Sequence, residues 1–204
     1  MGCKTGGADQ KKGHLTGQKK PFKLEDIWRI RTRLEIEGNI MELALLNLAI
    51  DCKLRSCDLL RMKVRDISSG GVIQERVLYS QSKTGREVQF EITSRTAQSL
   101  AQWLMQRQLT ASDYIFPSPR RQGKSMSYSN YATIIRRWVT ELGYDPYLYG
   151  THSMRRTKAT LIYARTKNIR AVQLLLGHVK LDNTIRYLGV EIEDALNISE
   201  GIDS

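Results

Sequence analysis

The chain has 204 residues, 41% hydrophobic and 26% charged, and no apolar run reaches the ~18 residues that a membrane-spanning helix needs. Its net charge of +11 at pH 7 divides into +16 for residues 1–187 and −5 for residues 188–204, which contain no Lys or Arg. These features argue against a membrane protein and favour a polyanionic partner such as nucleic acid, because binding to phosphates releases counterions.

The first part of the chain is predicted to be a polar tail followed by three helices. Residues 1–21 are rich in Gly, Lys and Gln, which is typical of a disordered basic tail that either follows a DNA backbone or only keeps the chain soluble. Apolar residues at helical spacing predict a first helix from Lys23 that ends at Gly38. A strongly apolar helix is predicted over 41–52, and a third begins near Ser56 as its N-cap.

The middle of the chain changes from helix to strand and back. Residues that favour strands dominate 72–92, on both sides of Lys-Thr-Gly-Arg at 83–86, and predict a hairpin or small sheet. Helical spacing returns over 94–108, and a loop rich in Arg and Lys follows around 117–123.

Four further helices are predicted. Three lie over 128–142, 151–164 and 169–176, and the fourth begins at Asp182, its predicted N-cap. Asn168 is expected to cap the third of these helices and Gly177 to end it, because glycine favours the left-handed conformation there. The last helix carries Tyr187.

These elements predict a mainly α fold with a small antiparallel β-sheet (α+β). One domain is expected over 22–189, between the tail 1–21 and an acidic C-terminal segment over 190–204. Cys52 and Cys57 lack the spacing of a zinc site or a disulfide framework, so we interpret them as small core residues in a reducing compartment.

The candidate functional residues are two guanidiniums, an ammonium, two imidazoles and a phenol: Arg55, Lys83, His152, Arg155, His178 and Tyr187. Each alone has an ordinary structural interpretation. His152 and Arg155 could be a pair on a helix surface, and Arg55 could form an ion pair with Asp58. Together the six supply cations for phosphate oxygens, proton donors and acceptors, and a hydroxyl nucleophile. This set suits one phosphodiester handled without a metal.

The sequence around these residues resembles the tyrosine recombinase (phage integrase) family over about residues 23–190. The matching motifs are Leu-Arg-x-x-Asp-Leu-Leu at 54–60, a hairpin lysine at 83, His-x-x-Arg-Arg-Thr-x-Ala-Thr at 152–160 and Leu-Leu-Gly-His at 175–178, followed nine positions later by a tyrosine. The resemblance implies the fold of that family's catalytic domain and site-specific DNA cleavage and rejoining.

The resemblance also implies a role for each residue. Tyr187 would attack the scissile phosphate and form a 3′-phosphotyrosyl link, with His152 as the base or proton relay and Lys83 as the acid that protonates the 5′-oxygen. Arg55 and Arg155 would hold the non-bridging oxygens. His178 would donate a further hydrogen bond there.

Further residues are expected to have supporting or DNA-binding roles. Asp58 is expected to support Arg55, and Arg156 stands where the family often has histidine. The side chains expected to bind DNA are Arg86, Arg120, Arg121, Lys124 and Arg156.

By resemblance the partners are double-stranded DNA and further copies of the chain, assembled as a tetramer on DNA. The resemblance implies no cofactor and no metal, because two guanidiniums take the place of the metal. It implies no ATP, because the phosphotyrosyl bond conserves the energy of the phosphodiester. A cytoplasmic, nucleoid-associated protein encoded by a bacterium or phage is expected. The family usually has a helical domain before the catalytic one, so the chain is either part of a longer protein or similar to short single-domain members such as the fimbrial phase-variation recombinases.

Two other functions fit part of the pattern. A type IB topoisomerase has a similar catalytic set and would relax plasmids without paired sites. A non-catalytic DNA-binding regulator could retain the fold, although the complete set of six residues argues against it.

Overall fold

The structure, a computed structural model, describes residues 18–188. The predictions for residues 1–17 and for the acidic segment 190–204 lie outside the described residues. Within the described part, residues 18–20 already contact the domain, because the backbone N–H of Lys20 donates to the Leu148 carbonyl.

The described residues are mostly helical, with a short 3₁₀ turn over Pro146–Leu148. In chain order they form α1 (Leu24–Ile36), α2 (Ile40–Cys52), α3 (Ser56–Arg61), α4 (Val64–Ile67), β1 (Ser68–Ser69), β2 (Val72–Ile73), β3 (Arg76–Ser80), β4 (Glu87–Glu91), α5 (Ser94–Gln106), α6 (Tyr128–Glu141), α7 (Thr151–Thr166), α8 (Ile169–Leu176) and α9 (Leu181–Leu188). The predicted fold class is confirmed, although the strands form two antiparallel pairs, β1–β2 and β3–β4, rather than one sheet.

Helix α2 lies at the centre of the main core. All its residues from Glu42 to Cys52 are buried, and it packs against α1, α5 and α7. A helix that is apolar on all sides is stable only when other elements surround it, which is what this sequence produces. The Asp51 carboxylate at its end accepts hydrogen bonds from Lys158 and Thr96, and so joins α2 to α7 and α5.

The β3–β4 hairpin matches the predicted hairpin around Lys-Thr-Gly-Arg. Val88 and Phe90 alternate with exposed residues on β4 and are buried, which places one face of the hairpin on the core. The turn places Lys83 at its exposed tip. The strand β4 also contacts α8, so the hairpin borders the C-terminal helices.

A smaller apolar cluster lies beneath the C-terminal helices. Its buried members are Ala159, Val172, Leu176 and Leu188, from α7, α8 and α9. Because the stabilisation from burial scales with apolar area, this cluster holds α9 less firmly than the main core holds α2. The helix that carries Tyr187 is therefore anchored mainly by α7 and α8.

Some local predictions are confirmed and others are wrong. The Asn168 side chain caps α8 by accepting from the Ala171 N–H at 2.9 Å, and Gly177 ends it with φ 66°. The N-cap of α3 is Arg55 rather than Ser56, since the Arg55 carbonyl already accepts the first helical hydrogen bonds. Asp182 is also not the predicted N-cap, because it lies inside the first turn of α9. There its negative charge interacts favourably with the positive end of the helix dipole.

The prediction that both helical cysteines are core residues holds for only one of them. Cys52 is buried at the end of α2, whereas Cys57 is exposed on α3. Helix α3 is short and buries only the side that carries Asp58, Leu59 and Leu60, so position 57 faces solvent.

Candidate active site

A cavity of about 300 Å³ lies among the N-terminus of α3, the first turns of α7 and helix α9. Its lining contains five of the six predicted residues: Arg55, His152, Arg155, His178 and Tyr187, together with Gln18, Asn183 and Arg186. The sixth, Lys83, is exposed on the hairpin turn and is not part of the lining. The fold therefore brings together residues that lie up to 132 positions apart in the chain.

Arg55 is positioned by the hairpin and not by Asp58. Its Nη1 donates to the side-chain oxygen of Gln81. The predicted ion pair with Asp58 is wrong: no such pair forms within residues 18–188, because the buried Asp58 carboxylate instead accepts from the Ser82 N–H at 2.9 Å. Asp58 thus supports the base of the Lys83 turn, while Arg55 has a neutral partner.

Arg155 is almost completely buried, at 3% exposure, yet only part of its guanidinium is paired. Its Nη2 donates to the Leu176 carbonyl at the end of α8, at 2.8 Å. Its Nη1 is buried and makes no well-aligned hydrogen bond in the described part of the chain. A buried unpaired guanidinium N–H is costly, and a bound anion at the cavity would remove that cost.

His178 is held in the loop between α8 and α9. Gln173 fixes the backbone of this loop, because its side-chain N–H group donates to the carbonyls of His178 and Val179 at 3.1 Å each. The His178 Nδ1 lies 3.1 Å from the Thr184 hydroxyl. Burial, with the Arg155 and Arg55 guanidiniums, lowers the pKa of His178 to about 4, so its imidazole is neutral at pH 7.

Tyr187 lies between His178 and two guanidiniums. Its ring meets the His178 ring edge-on at 5.4 Å, and the Arg155 and Arg156 guanidiniums lie 6.0 and 5.5 Å from its centre. Burial raises the pKa of Tyr187 to about 12, against the opposing effect of both arginines. Its hydroxyl is buried, and no well-aligned hydrogen bond reaches it from the described residues.

His152 is the most accessible imidazole of the cavity. Partial burial lowers its pKa, as do the positive charges of Arg155, Arg55 and Arg156. An imidazole that is neutral near pH 7 can accept a proton, which is the property that a general base needs.

Arg156 does not have the surface position expected of a DNA contact. It is 6% exposed, it donates to the Lys19 carbonyl, and it faces the Tyr187 ring. Helix α9 and residue 19 cover this side of α7, so Arg156 contacts the predicted nucleophile instead of the solvent.

The other predicted DNA-binding residues are exposed. Arg120, Arg121 and Lys124 line a second cavity of about 500 Å³, together with Arg61 and Cys57 of α3. We call this surface the basic concavity. Because Arg55 lies at the start of α3 and Arg61 at its end, the helix connects the basic concavity to the candidate active site. Arg86 is exposed on the hairpin, beside Lys83.

Three polar residues that hold the site carry no sequence signal of their own. Gln81 binds Arg55, Gln173 fixes the His178 loop, and Thr184 contacts the His178 ring. Only the position of Gln81, two residues before the hairpin lysine, could have drawn attention to it.

Residues 18–188 contain neither a cluster of metal ligands nor a membrane-spanning helix. No group of three or more His, Cys, Asp or Glu side chains in this range is arranged to hold a metal ion. No helix in this part of the chain is both long and apolar enough to cross a bilayer.

Comparison with known proteins identifies the family. The sequence model of the phage integrase family matches residues 22–193. The chain is 26% identical to the probable integrase/recombinase YoeC of Bacillus subtilis (strain 168), over 82% of this chain and 87% of that protein. Several bacterial proteins named tyrosine recombinase match at 24–30% identity, but the chain spans only about half of their length.

Solved structures show the same fold at low sequence identity. The crystal structure of XerA recombinase superposes with a TM-score of 0.73 at 17% identity, over 92% of this chain and 66% of that one. The Tn1549 transposon integrase in complex with transposon right end DNA has a TM-score of 0.65 at 15% identity, over 92% of this chain and 67% of that one. The chain thus belongs to the phage integrase family, and its relatives are tyrosine-type site-specific recombinases.

Proposed function

We propose that this chain cleaves and rejoins DNA at specific sites through a 3′-phosphotyrosyl intermediate formed by Tyr187. The observation that most directly supports this is a pair of buried groups at one cavity, the Arg155 Nη1 and the Tyr187 hydroxyl, neither of which makes a well-aligned hydrogen bond among residues 18–188. A phosphodiester there would satisfy the guanidinium and place phosphorus near the phenol. In the described part of the chain, none of the side chains that line the cavity is a carboxylate.

In the proposed cleavage step, the Tyr187 oxygen forms a bond to phosphorus and the bond from phosphorus to the 5′-oxygen breaks. The phenol is neutral at pH 7, because the pKa of Tyr187 is raised to about 12, so its proton must leave during attack. His152 accepts that proton. The 5′-oxygen receives a proton from Lys83 and departs as a hydroxyl, and rejoining reverses these transfers.

Charge builds up on the non-bridging oxygens in the transition state, and three side chains can stabilise it. Arg55 and Arg155 supply positive charge and directed N–H groups. His178 is neutral, since its pKa is lowered to about 4, and can donate through Nε2 when its Nδ1 accepts from the Thr184 hydroxyl at 3.1 Å. Thr184 would then fix the tautomer that this role requires.

Lys83 has to reach the site from the hairpin turn. It is exposed and outside the cavity lining, and a lysine side chain is long and flexible enough to approach a bound strand. We expect DNA that crosses the cavity to pass over this turn, so that the ammonium meets the 5′-oxygen.

DNA is the proposed partner because of charge and because of similarity. The basic concavity, lined by Arg61, Arg120, Arg121 and Lys124, supports this proposal, because its cations can bind backbone phosphates. The Tn1549 integrase, which has the same fold, is in complex with transposon DNA. By family resemblance the chain would act as a tetramer on DNA, with the acidic segment 190–204 docked on a neighbouring protomer.

One experiment tests the function even though the target site is not specified. A pool of nicked duplexes with randomised sequence around the nick is incubated with the full chain, and DNA that stays attached after denaturation is sequenced. The nick lets a short fragment diffuse away, so the covalent intermediate accumulates. We expect the recovered sequences to converge on one site.

The same experiment separates the alternatives. Adducts without sequence convergence, with relaxation of plasmids that lack paired sites, would indicate a type IB topoisomerase. Sequence-specific binding without any adduct would indicate a non-catalytic regulator. Either outcome would contradict the proposed function.

A further inference from the structure

Gln81 lies where the loops that carry Arg55, Lys83 and His178 meet. We propose that Gln81 is a positioning residue that fixes Arg55 relative to the Lys83 turn and leaves the charge of Arg55 uncompensated. This inference rests on the proposed function, because it concerns the same phosphate-binding arginine.

The first observation is the chemistry of the contact to Arg55. Gln81 is only 1% exposed, and its side-chain oxygen accepts from Arg55 Nη1. A carboxylate that holds an arginine also compensates its charge, whereas an amide oxygen holds it through a dipole alone. The nearby Asp58 forms no ion pair with Arg55 within residues 18–188: its Oδ1 accepts from the Ser82 N–H, and its buried Oδ2 makes no hydrogen bond to the described residues. Arg55 is therefore oriented while it keeps a full positive charge for a phosphate.

The second observation is that the backbone of Gln81 closes the turn that carries Lys83. Its N–H donates to the Arg86 carbonyl at 2.8 Å, and its carbonyl accepts from the N–H of Gly85 at 2.8 Å and of Thr84 at 3.3 Å. One residue thus binds the turn through its backbone and Arg55 through its side chain. A shift of the turn would move the acceptor on which the orientation of Arg55 depends.

The third observation is the close approach of the loop before His178. A Cβ atom added to Gly177 would lie 2.8 Å from the Gln81 side-chain nitrogen and 2.6 Å from Val88 Cγ1. This packing fixes the Gln81 side chain from the side opposite the arginine. Gln81 is therefore held between the two loops that lead to Arg55 and His178.

A purely structural role does not explain the choice of glutamine. The side-chain nitrogen of Gln81 is buried and has no hydrogen-bond partner within residues 18–188. A buried unpaired donor costs about 1–3 kcal/mol, a cost that methionine of similar length would avoid. Glutamine is present at this position despite its unpaired nitrogen because its oxygen accepts the hydrogen bond from Arg55.

The test compares Gln81→Met, which removes the acceptor, and Gln81→Glu, which keeps an oxygen acceptor but adds a negative charge. Gln89→Met, on the exposed face of β4 in the same hairpin, is the matched control. Each full-length variant is assayed for single-turnover cleavage of the nicked duplex recovered from the pool, at saturating DNA, and for the Kd of that duplex.

We expect Gln81→Met to slow cleavage about 100-fold, as the loss of one transition-state donor does, with little change in Kd. Gln81→Glu should fold, because it is isosteric, and still cleave slowly, because its charge compensates Arg55. Gln89→Met should match the wild type. If Gln81→Glu cleaves at the wild-type rate, the inference is overturned. This result is decisive even when Gln81→Met does not fold.

A second substrate shows which neighbour Gln81 acts through. When sulfur replaces the 5′-bridging oxygen, the leaving thiolate needs no proton, so Lys83→Ala should cleave this duplex at the wild-type rate. The defect of Gln81→Met should persist on it, because Arg55 is still misplaced. If Gln81→Met cleaves the sulfur-containing duplex at the wild-type rate, its defect does not come from the loss of the Arg55 contact, and the inference is overturned. A wild type that forms no adduct with any duplex would overturn the proposed function, and this inference with it.

Discussion

The guanidinium of Arg156 lies 5.5 Å from the centre of the Tyr187 ring, on a side of α7 that helix α9 and residue 19 cover. This contact places a second positive charge beside the predicted nucleophile, in addition to Arg155. It also replaces the surface role that the sequence suggested for Arg156.

Replacing Arg156 should therefore impair cleavage more than DNA binding. Arg156→Ala removes a cation that favours the ionised phenol, so the pKa of Tyr187 should rise further. We expect a loss of about tenfold in cleavage rate, the size of one cation–π contact, and a smaller loss in Arg156→Lys. The measurement is single-turnover cleavage at saturating DNA, with the exposed Arg165→Ala on the same helix as control. A change in Kd alone would instead indicate a DNA contact.

The His178 pKa predicts how stability depends on pH. Its pKa is lowered from 6.5 to about 4, so below pH 6.5 the unfolded chain takes up a proton that the folded protein resists. The stability that comes from the neutral imidazole is complete above pH 6.5 and is lost as the pH falls toward 4.

The check is chemical denaturation of the wild type and His178→Gln between pH 7 and 4. The wild type should lose more stability over this range than the variant, which has no group to titrate at this position. Parallel curves would show that His178 is not held neutral by the fold.

Gly177→Ala should be more destabilising than glycine replacement at another left-handed position. A non-glycine residue in such a conformation costs about 1–3 kcal/mol. Gly143 has φ 80° and open space around it, so Gly143→Ala measures this strain alone. At Gly177 the new methyl also meets Val88 and Gln81. Gly177→Ala should therefore lower the free energy of unfolding more than Gly143→Ala does. Equal losses would mean that the close packing before His178 does not exist in solution.

Cleavage should not depend on a divalent metal. Within the described residues, the cavity is lined by three guanidiniums and two imidazoles and by no carboxylate, so its chemistry suits the phosphate itself and not a hard cation. Adduct formation in EDTA should equal that in magnesium. Loss of cleavage in EDTA that magnesium restores would contradict this.

The sequence predicted the elements and the cavity residues better than it predicted their partners. Helical spacing located the long helices to within a few residues, and five of the six residues lie at one cavity. The Arg55–Asp58 pair failed because a spacing of three brings side chains together only inside a helix. Arg55 precedes α3 with extended backbone, φ −65° and ψ 151°, so its side chain leaves in another direction.

The partners that were missed come from distant parts of the chain. Gln81 reaches Arg55 across 26 positions, and Arg156 reaches the Lys19 carbonyl across 137. Nothing in the local sequence encodes such contacts, because they depend on how the hairpin and the N-terminal residues pack on α3 and α7.

The proposed function depends most directly on Tyr187 as the nucleophile. Tyr187→Phe removes only the hydroxyl, which makes no well-aligned hydrogen bond within residues 18–188. The ring should therefore pack as before and the fold should persist. Full-length wild type and variant are incubated with the nicked duplex recovered from the pool, and the adduct is digested and its DNA-linked peptide identified by mass spectrometry. The wild type should be linked to DNA through Tyr187, and the variant should bind the duplex without forming an adduct. An adduct in Tyr187→Phe, or a link through another tyrosine such as Tyr147 or Tyr149, would contradict the proposed mechanism.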